Sequence, residues 1–132
     1  MPIIINNYVH AYKKMDPKSK KKWLKALRSG KYEQTTYRLC EVEDGHFSYC
    51  CLGVLAEECI VGDWICHPHR AGEGYSLEVC RGKTFVRGYG MLPPAALRQV
   101  GLDRHAAEEL AALNDDEGKS FKQIANWIEK NL

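Results

Sequence analysis

The sequence lacks a long apolar run, and this absence excludes a membrane-spanning helix. Such a helix needs roughly 18–20 consecutive apolar residues, whereas the opening segment Pro2-Ile3-Ile4-Ile5 is much shorter. A signal peptide needs a longer apolar core with basic residues in front of it, and this segment has neither. We therefore expect a cytoplasmic protein without a membrane partner.

The chain also lacks internal repeats, low-complexity tracts and linker-like segments. Its length of 132 residues suits one domain, because single domains typically span roughly 100–150 residues. An apolar fraction of 45% with 27% charged residues is typical of a globular protein with its own core. The sequence therefore predicts a single domain over residues 1–132 and does not define an oligomeric state.

Acidic residues are almost missing from segment 13–31, which holds nine basic residues and one acid, Asp16. The rest of the chain holds ten basic and sixteen acidic residues, so the formal net charge of +2 hides a strong asymmetry. A basic segment attracts phosphate-bearing partners, including nucleic acid. The alternative is that the lysines form the solvated face of a helix. The candidate nucleic-acid contacts are Lys18, Lys20, Lys21, Lys22 and Lys25.

Apolar spacing and turn signals predict an α+β fold. Asp16-Pro17 is typical of a helix start, Ser120 with Gln123 forms a capping box, and Glu43-Asp44-Gly45 marks a hairpin turn. We expect N-terminal helices, a central antiparallel sheet of hairpins with an inserted helix, and C-terminal helices. The predicted helices are 6–15, 17–28, 51–59, 95–100, 104–113 and 120–132; the predicted extended segments are 32–42, 46–49, 61–66, 75–80 and 84–87, with a loop over 67–74.

Two of the six cysteines, Cys50 and Cys51, are adjacent and lie where a predicted strand ends and a helix begins. A helix N-terminus stabilises a thiolate, so either residue is a candidate nucleophile with a histidine as its base. The alternative, which we favour, is that both are buried packing residues, because free cysteine is among the most buried residue types. Without a secretion signal we expect all six cysteines to be reduced.

Zinc-type ligands occur in the middle of the chain. Cys66 and His69 have an acceptable spacing, and Cys59 and Cys80 flank this pair. A zinc site usually combines two close pairs of ligands, and only one such pair is visible here. These four residues are weak candidates, and we expect neither a metal nor another cofactor.

Five motifs stand in a fixed order along the chain. They are Trp23-x-x-Ala26-Leu27-Arg28-Ser29-Gly30-Lys31-Tyr32-x-Gln34, Cys50-Cys51-Leu52-Gly53-Val54-Leu55, Leu92-Pro93, Leu110-x-x-Leu113-Asn114-Asp115 and Ser120-Phe121-x-x-Ile124-Ala125-x-x-Ile128. Together they resemble a family of small proteins encoded by tailed bacteriophages and prophages, and the resemblance runs from Trp23 to Leu132. It implies a phage accessory protein in the cytoplasm of the bacterial host, with a host protein or a small phosphorylated ligand as partner, in a counter-defence or host-takeover setting.

Five polar residues within these motifs form the favoured ligand site: Arg28, Tyr32, Gln34, Asn114 and Asp115. An arginine offers a planar fork to a phosphate or carboxylate, and a tyrosine can stack on a base. The alternative, to which the residue types give more weight, is that these residues cap helices and close loops, with Arg28 paired to Asp115. Three functions therefore stay open: a non-enzymatic binding protein, which we favour, a cysteine-dependent enzyme, and a non-specific nucleic-acid binder.

Overall fold

The computed structural model describes the backbone of residues 3–5, 8–10, 12–69, 72–81 and 84–132, and the side chains of residues 12–67, 74–80 and 84–132. Within these residues the chain forms an α+β fold of helices packed on a mixed sheet. In chain order, the elements are β1 (Ile3–Ile5), β2 (Tyr8–His10), α1 (Pro17–Arg28), β3 (Glu33–Gln34), β4 (Cys40–Glu43), β5 (His46–Tyr49), α2 (Cys51–Cys59), β6 (Asp63–His69), β7 (Gly72–Arg81), β8 (Thr84–Gly88), α3 (Pro94–Val100), α4 (Arg104–Asp115) and α5 (Phe121–Asn131).

The main sheet has the strand order β3-β5-β4-β7-β6, and β8 also pairs with β7. Strands β4 and β8 share one side of β7, because β4 pairs with residues 73–75 and β8 with residues 77–81, both opposite β6. The amide of Leu39 donates to the carbonyl of Tyr89 at 2.8 Å. This bond joins the start of β4 to the end of β8, so the two strands meet end to end against β7.

Alternation along β7 separates the two faces of the sheet. Leu77 and Val79 are buried in the core with the helices. Cys80 lies on the opposite face, together with its partner Phe85 and with Arg87, and these three side chains are exposed. We call this second surface the open face.

Helix α2 occupies the centre of the core. Residues Cys51, Leu52, Gly53, Val54, Leu55 and Ala56 are all buried, because α2 packs on α1, α4 and β5. A helix surrounded by other elements has to be apolar around its circumference. The indole N–H of Trp23 on α1 donates to the carbonyl of Cys51 at 2.9 Å, so the buried indole has its hydrogen-bond partner.

The predicted helix starts and the hairpin turn are confirmed. The Asp16 carboxylate accepts the amide of Ser19 at 3.0 Å and caps α1. The capping box is complete in both directions, since Ser120 accepts the amide of Gln123 and Gln123 accepts the amide of Ser120. Gly45, with φ of 79°, closes the turn between β4 and β5, a conformation that glycine adopts without strain.

The predicted helix over 6–15 is wrong, because Tyr8–His10 forms a strand. Ile4 pairs with Val9 across an antiparallel ladder, and β-branched residues favour that geometry over a short helix. Asn6, Asn7 and Ala11 of the predicted helix lie outside the described residues. Pairing with the nearby strand β1 therefore decides the structure of residues 8–10, and the helical spacing of a few apolar residues does not.

Two further expectations about the sheet are corrected. The predicted loop over 67–74 is mostly strand, because β6 runs to His69 and pairs there with Gly72 of β7; residues 70 and 71 lie outside the described part. The predicted extended segment 32–42 is interrupted, and Tyr37 has a φ of 63°. Its first piece, β3, pairs in parallel with β5, so the sheet is mixed rather than antiparallel throughout. Of the helices described, none has the length and apolar character needed to cross a bilayer.

Candidate functional site

The adjacent cysteines lie at the junction of β5 and α2. Cys50 is the N-cap of α2 with extended backbone. Its side chain is 4% exposed, and that of Cys51 is fully enclosed. Burial raises the pKa of Cys50 to about 12 and also raises the pKa of Cys51 well above its ordinary value. The helix N-terminus therefore does not yield an activated thiolate, and the expectation that both thiols are buried is confirmed.

We expect Cys50 and Cys51 to react with a thiol reagent at neutral pH more slowly than an exposed cysteine, by on the order of a thousandfold. The physical reasons are the raised pKa of Cys50 and the enclosure of both sulfur atoms. Mass-spectrometric footprinting with a small maleimide measures each site separately, with exposed Cys66 and Cys80 as internal references. Rapid labelling of Cys50 or Cys51 in the folded protein would contradict this account.

The structure brings three of the five predicted ligand residues together. Asn114, at the C-terminal end of α4, is 1% exposed and makes four hydrogen bonds. Its Oδ1 accepts from Gln34 Nε2 at 2.9 Å and from the Cys51 amide at 3.1 Å. Its Nδ2 donates to the Thr35 carbonyl at 2.9 Å and to Asp115 Oδ1 at 2.8 Å. The side-chain amide is therefore fully used inside the protein.

Gln34 and Asp115 are also engaged in closing the fold. Gln34 Nε2 donates a second bond to the carbonyl of Lys119 at 2.8 Å. Asp115 accepts the amide of Tyr37 at 2.9 Å, and the Tyr37 hydroxyl donates to Asp116 at 2.8 Å. These contacts fasten the irregular segment 35–39 to the end of α4. They match the loop-closing alternative that the sequence left open.

The other two predicted ligand residues lie apart from this network. Arg28 donates to Asn126 at 3.0 Å and forms an ion pair with Glu129 at 2.5 Å, both on α5, rather than with Asp115. The hydroxyl of Tyr32 donates to Glu58 on α2. The contacts of the described residues therefore divide the five between separate places, and a ligand role for them stays a prediction.

The metal candidates do not converge within the described part of the chain. Cys59 ends α2 and its thiol donates to the carbonyl of Ser19 at 3.6 Å. Cys66 pairs with Tyr75 in the sheet, and Cys80 lies five residues further along β7. Five residues of strand span roughly 17 Å, too far for two ligands of one ion. The side chain of His69 lies outside the described residues, and no three described ligands form a metal-binding group.

A cavity of about 350 Å³ lies between the segment before α1, the end of α3 and the start of α4. Three cationic side chains line it: Lys13, Arg98 and Arg104. The amide of Asp16 donates to the carbonyl of Val100 at 2.9 Å, and this bond holds the start of α1 beside α3. The cavity thus brings Lys13 next to Arg98 and Arg104, which follow it by more than eighty residues in the sequence.

The charges of this cavity, which we call the basic cavity, are only partly compensated. Arg104 is 3.6 Å from Glu108, in a pair that is largely exposed and hence weak. Among the described residues, no carboxylate lies within ion-pair distance of Lys13 or Arg98. The carboxylate of Asp103 accepts the amides of Lys13 and His105. Among the described residues, the cavity therefore offers a ligand two cations without an ion-pair partner, Lys13 and Arg98.

Sequence reasoning did not identify Arg98 or Arg104. The two arginines lie in the last turn of α3 and at the start of α4, and neither stands in a recognisable motif. The link between the two helices is short, residues 101–103, and this could have suggested that the two arginines lie close together. The position of Lys13 follows only from the contact of the segment before α1 with the end of α3, where the amide of Asp16 donates to the carbonyl of Val100.

The lysines of α1 lie mainly at the surface. Lys20 differs from the others, since its Nζ donates to the carbonyl of Glu129 at 3.3 Å. Within the described residues, no carboxylate lies at ion-pair distance from the exposed lysines of this helix. These exposed residues are Lys18, Lys21, Lys22 and Lys25.

Fold and site together define a small α+β protein with a centrally buried helix and a cationic cavity. Residues 15–132 match the domain of unknown function DUF8296, so the chain belongs to that family. Comparison with curated proteins finds no match, and comparison with solved structures finds none either.

Proposed function

We propose that the protein is a non-enzymatic binding protein that recognises the phosphate group of a small ligand in the basic cavity. One observation carries this proposal: Lys13 and Arg98 face a common cavity without a compensating carboxylate within the described chain, and Arg104 joins them. Uncompensated cations around a concavity are the arrangement that an anion requires.

The residue types suit phosphate in particular. An arginine presents several N–H donors in a fixed fork that matches two phosphate oxygens, and a lysine adds a compact positive charge. The three side chains are exposed, so solvent screens them and each contact contributes little. We therefore expect a dissociation constant in the high micromolar to millimolar range for a simple phosphate probe, which corresponds to about 4–6 kcal/mol.

The proposed setting is a phage or prophage accessory role in the cytoplasm of a bacterial host. The ordered motifs from Trp23 to Leu132 support this origin, and a counter-defence or host-takeover role follows from that resemblance alone. A host protein is the alternative partner that the same resemblance implies. The buried cysteines argue against the cysteine-dependent enzyme, because neither thiol meets solvent.

Replacing Arg98 by alanine is expected to weaken the binding of inorganic pyrophosphate about tenfold, because one charge-assisted contact of about 1.4 kcal/mol is lost. Isothermal titration calorimetry at low ionic strength gives the dissociation constant. Arg28→Ala is the matched control: it removes another exposed arginine at the end of a helix, one whose partners are on α5. The control is expected to bind pyrophosphate as the parent protein does.

The reverse result is that Arg28→Ala weakens pyrophosphate binding and Arg98→Ala does not. It would show that the anion site lies at the residues predicted from the sequence. The absence of pyrophosphate binding by the parent protein would overturn the proposal. Unchanged thermal unfolding of both variants ensures that a loss of affinity reports on the site rather than on the fold.

A second candidate function, non-specific nucleic-acid binding, is favoured by the exposed lysines of α1. The same calorimetric experiment with a single-stranded oligonucleotide separates it from the first. If the oligonucleotide binds through α1, its affinity falls when Lys21 and Lys22 are replaced by glutamine and does not change in the Arg98→Ala variant. Binding through α1 also weakens with salt. In a plot of log affinity against log salt concentration, the slope is about −0.7 for each phosphate that the protein neutralises.

A further inference from the structure

The open face of the sheet carries a second cavity, of about 370 Å³, lined by His67, Ser76, Arg87 and Tyr89. It lies where β4 and β8 meet end to end against β7. From this cavity we infer a second binding site, for an uncharged planar heteroaromatic ring of the nucleobase type. The inference does not depend on the basic cavity, which is built from α3, α4 and the segment before α1.

Two aromatic rings form adjacent walls of the cavity. The rings of His67 and Tyr89 lie 6.0 Å apart, centroid to centroid, at an angle of 82°. Tyr89 approaches the sheet closely at Gly74, where a Cβ atom would lie 2.0 Å from the Tyr89 hydroxyl oxygen. Glycine at this position therefore allows the Tyr89 ring to lie against the strand. Perpendicular ring walls suit a flat ligand that packs on one ring and meets the edge of the other.

The cavity also provides hydrogen-bonding groups at its inner end. Ser76 is 3% exposed, and its hydroxyl is 2.7 Å from His67 Nε2, so the two side chains form a fixed polar pair. Arg87 is oriented by its Nε bond to Glu78 at 2.6 Å. The remaining guanidinium N–H groups of Arg87 can donate to a ring nitrogen or an exocyclic oxygen of a ligand.

Among the described side chains, the charges around this cavity are balanced, and this distinguishes it from the basic cavity. Arg87 is paired with Glu78 at 2.6 Å. Arg38, whose guanidinium carbon lies 6.0 Å from the centroid of the Tyr89 ring, is paired with Glu41 at 2.9 Å. A phosphate would meet a carboxylate beside each guanidinium group and gain little. An uncharged ring is not repelled by these carboxylates and can pack against the rings of His67 and Tyr89.

The cavity volume of about 370 Å³ suits a ligand the size of a nucleobase. Small-molecule sites typically enclose roughly 300–1,000 Å³, with mainly apolar or aromatic walls and a few placed polar groups. This cavity is a shallow depression, largely open to solvent, whose volume lies at the lower end of that range; it has two rings, one hydroxyl–imidazole pair and one guanidinium group. A nucleobase or a comparable bicyclic ring fits it better than a larger ligand.

The test is a titration of the ¹⁵N-labelled full chain with four uncharged nucleosides: adenosine, guanosine, cytidine and uridine. Saturable shifts of the Gly74, Ser76 and Arg87 amides with at least one nucleoside are expected, and free ribose is expected to cause none. Tyr89→Leu is expected to weaken binding at least tenfold, because it removes one ring wall at similar volume. Phe85→Leu is the matched control, since Phe85 is an exposed aromatic residue on β8, which ends just before Tyr89, and it is expected to bind as the parent does.

Arg87→Gln provides a second variant, at an exposed position outside the core, and it too is expected to weaken binding severalfold. The dispersion of the amide spectrum shows whether each variant is folded; if Tyr89→Leu is not, Arg87→Gln decides. The absence of saturable shifts with all four nucleosides would overturn the inference. So would equal affinities of the parent protein and the folded Tyr89 or Arg87 variant.

Discussion

Replacing Gly53 with alanine is expected to destabilise the protein by at least about 4 kcal/mol, which is a large part of the 5–15 kcal/mol available to a typical domain. A Cβ atom at Gly53 would lie 1.7 Å from the carbonyl oxygen and 2.7 Å from the carbonyl carbon of Leu39. Both are backbone atoms at the start of β4, so no side-chain rotation relieves the overlap. Helix α2 would have to move away from the sheet.

This displacement would affect the whole core, because α2 is its central helix. Urea unfolding followed by tryptophan fluorescence measures the loss, since Trp23 is fully buried and bonded to α2. Gly118→Ala is the matched control: this glycine has a φ of 63° but open space around it, so only backbone strain of about 1–2 kcal/mol is expected. Equal stabilities of the Gly53 and Gly118 variants would contradict the close approach of α2 to β4.

Replacing Asn114 with alanine is expected to destabilise the protein by about 3–4 kcal/mol, because buried polar partners left without a hydrogen bond each cost roughly 1–3 kcal/mol. The substitution removes both bonds accepted by Oδ1 and both donated by Nδ2. Asn114→Asp is expected to be at least as damaging. It would turn a donor into an acceptor facing Asp115 and would bury a charge.

Asn126→Ala is the control for this prediction, since Asn126 is exposed and accepts a single bond from Arg28. Urea unfolding is expected to show a loss below about 1 kcal/mol for that variant. The comparison also separates the two interpretations of Asn114. If Asn114→Ala unfolds like the parent protein but loses the binding of pyrophosphate, the residue belongs to a ligand site and not to the framework of the fold.

Local signals in the sequence predicted the elements that depend on local chemistry. Asp16-Pro17, the Ser120–Gln123 capping box and the turn at Gly45 each satisfy backbone groups within a few residues, so short stretches of sequence encode them. The elements that were predicted wrongly depend on a partner. Tyr8–His10 became a strand through its pairing with β1, and β6 reached His69 through its pairing with β7.

The same distinction applies to the sites. The meeting of Gln34, Asn114 and Asp115 was predictable in outline, because these polar residues are not needed to form an apolar core. The partner of Arg28 was not predictable, since it depends on how α5 crosses α1. Both cavities were missed for a related reason. Their residues come from separate elements, and alternation along one strand does not reveal which side chains of its neighbours lie beside them.

The proposed anion site is the basic cavity and not the network around Asn114. The most direct test is a titration of the ¹⁵N-labelled chain with inorganic phosphate at low ionic strength. We expect saturable shifts of the Gly101, Leu102 and Arg104 amides, and about tenfold weaker binding in the Arg98→Ala variant. Saturable shifts centred on Gln34 and Asp115, or no saturable shift at any amide, would overturn the proposal.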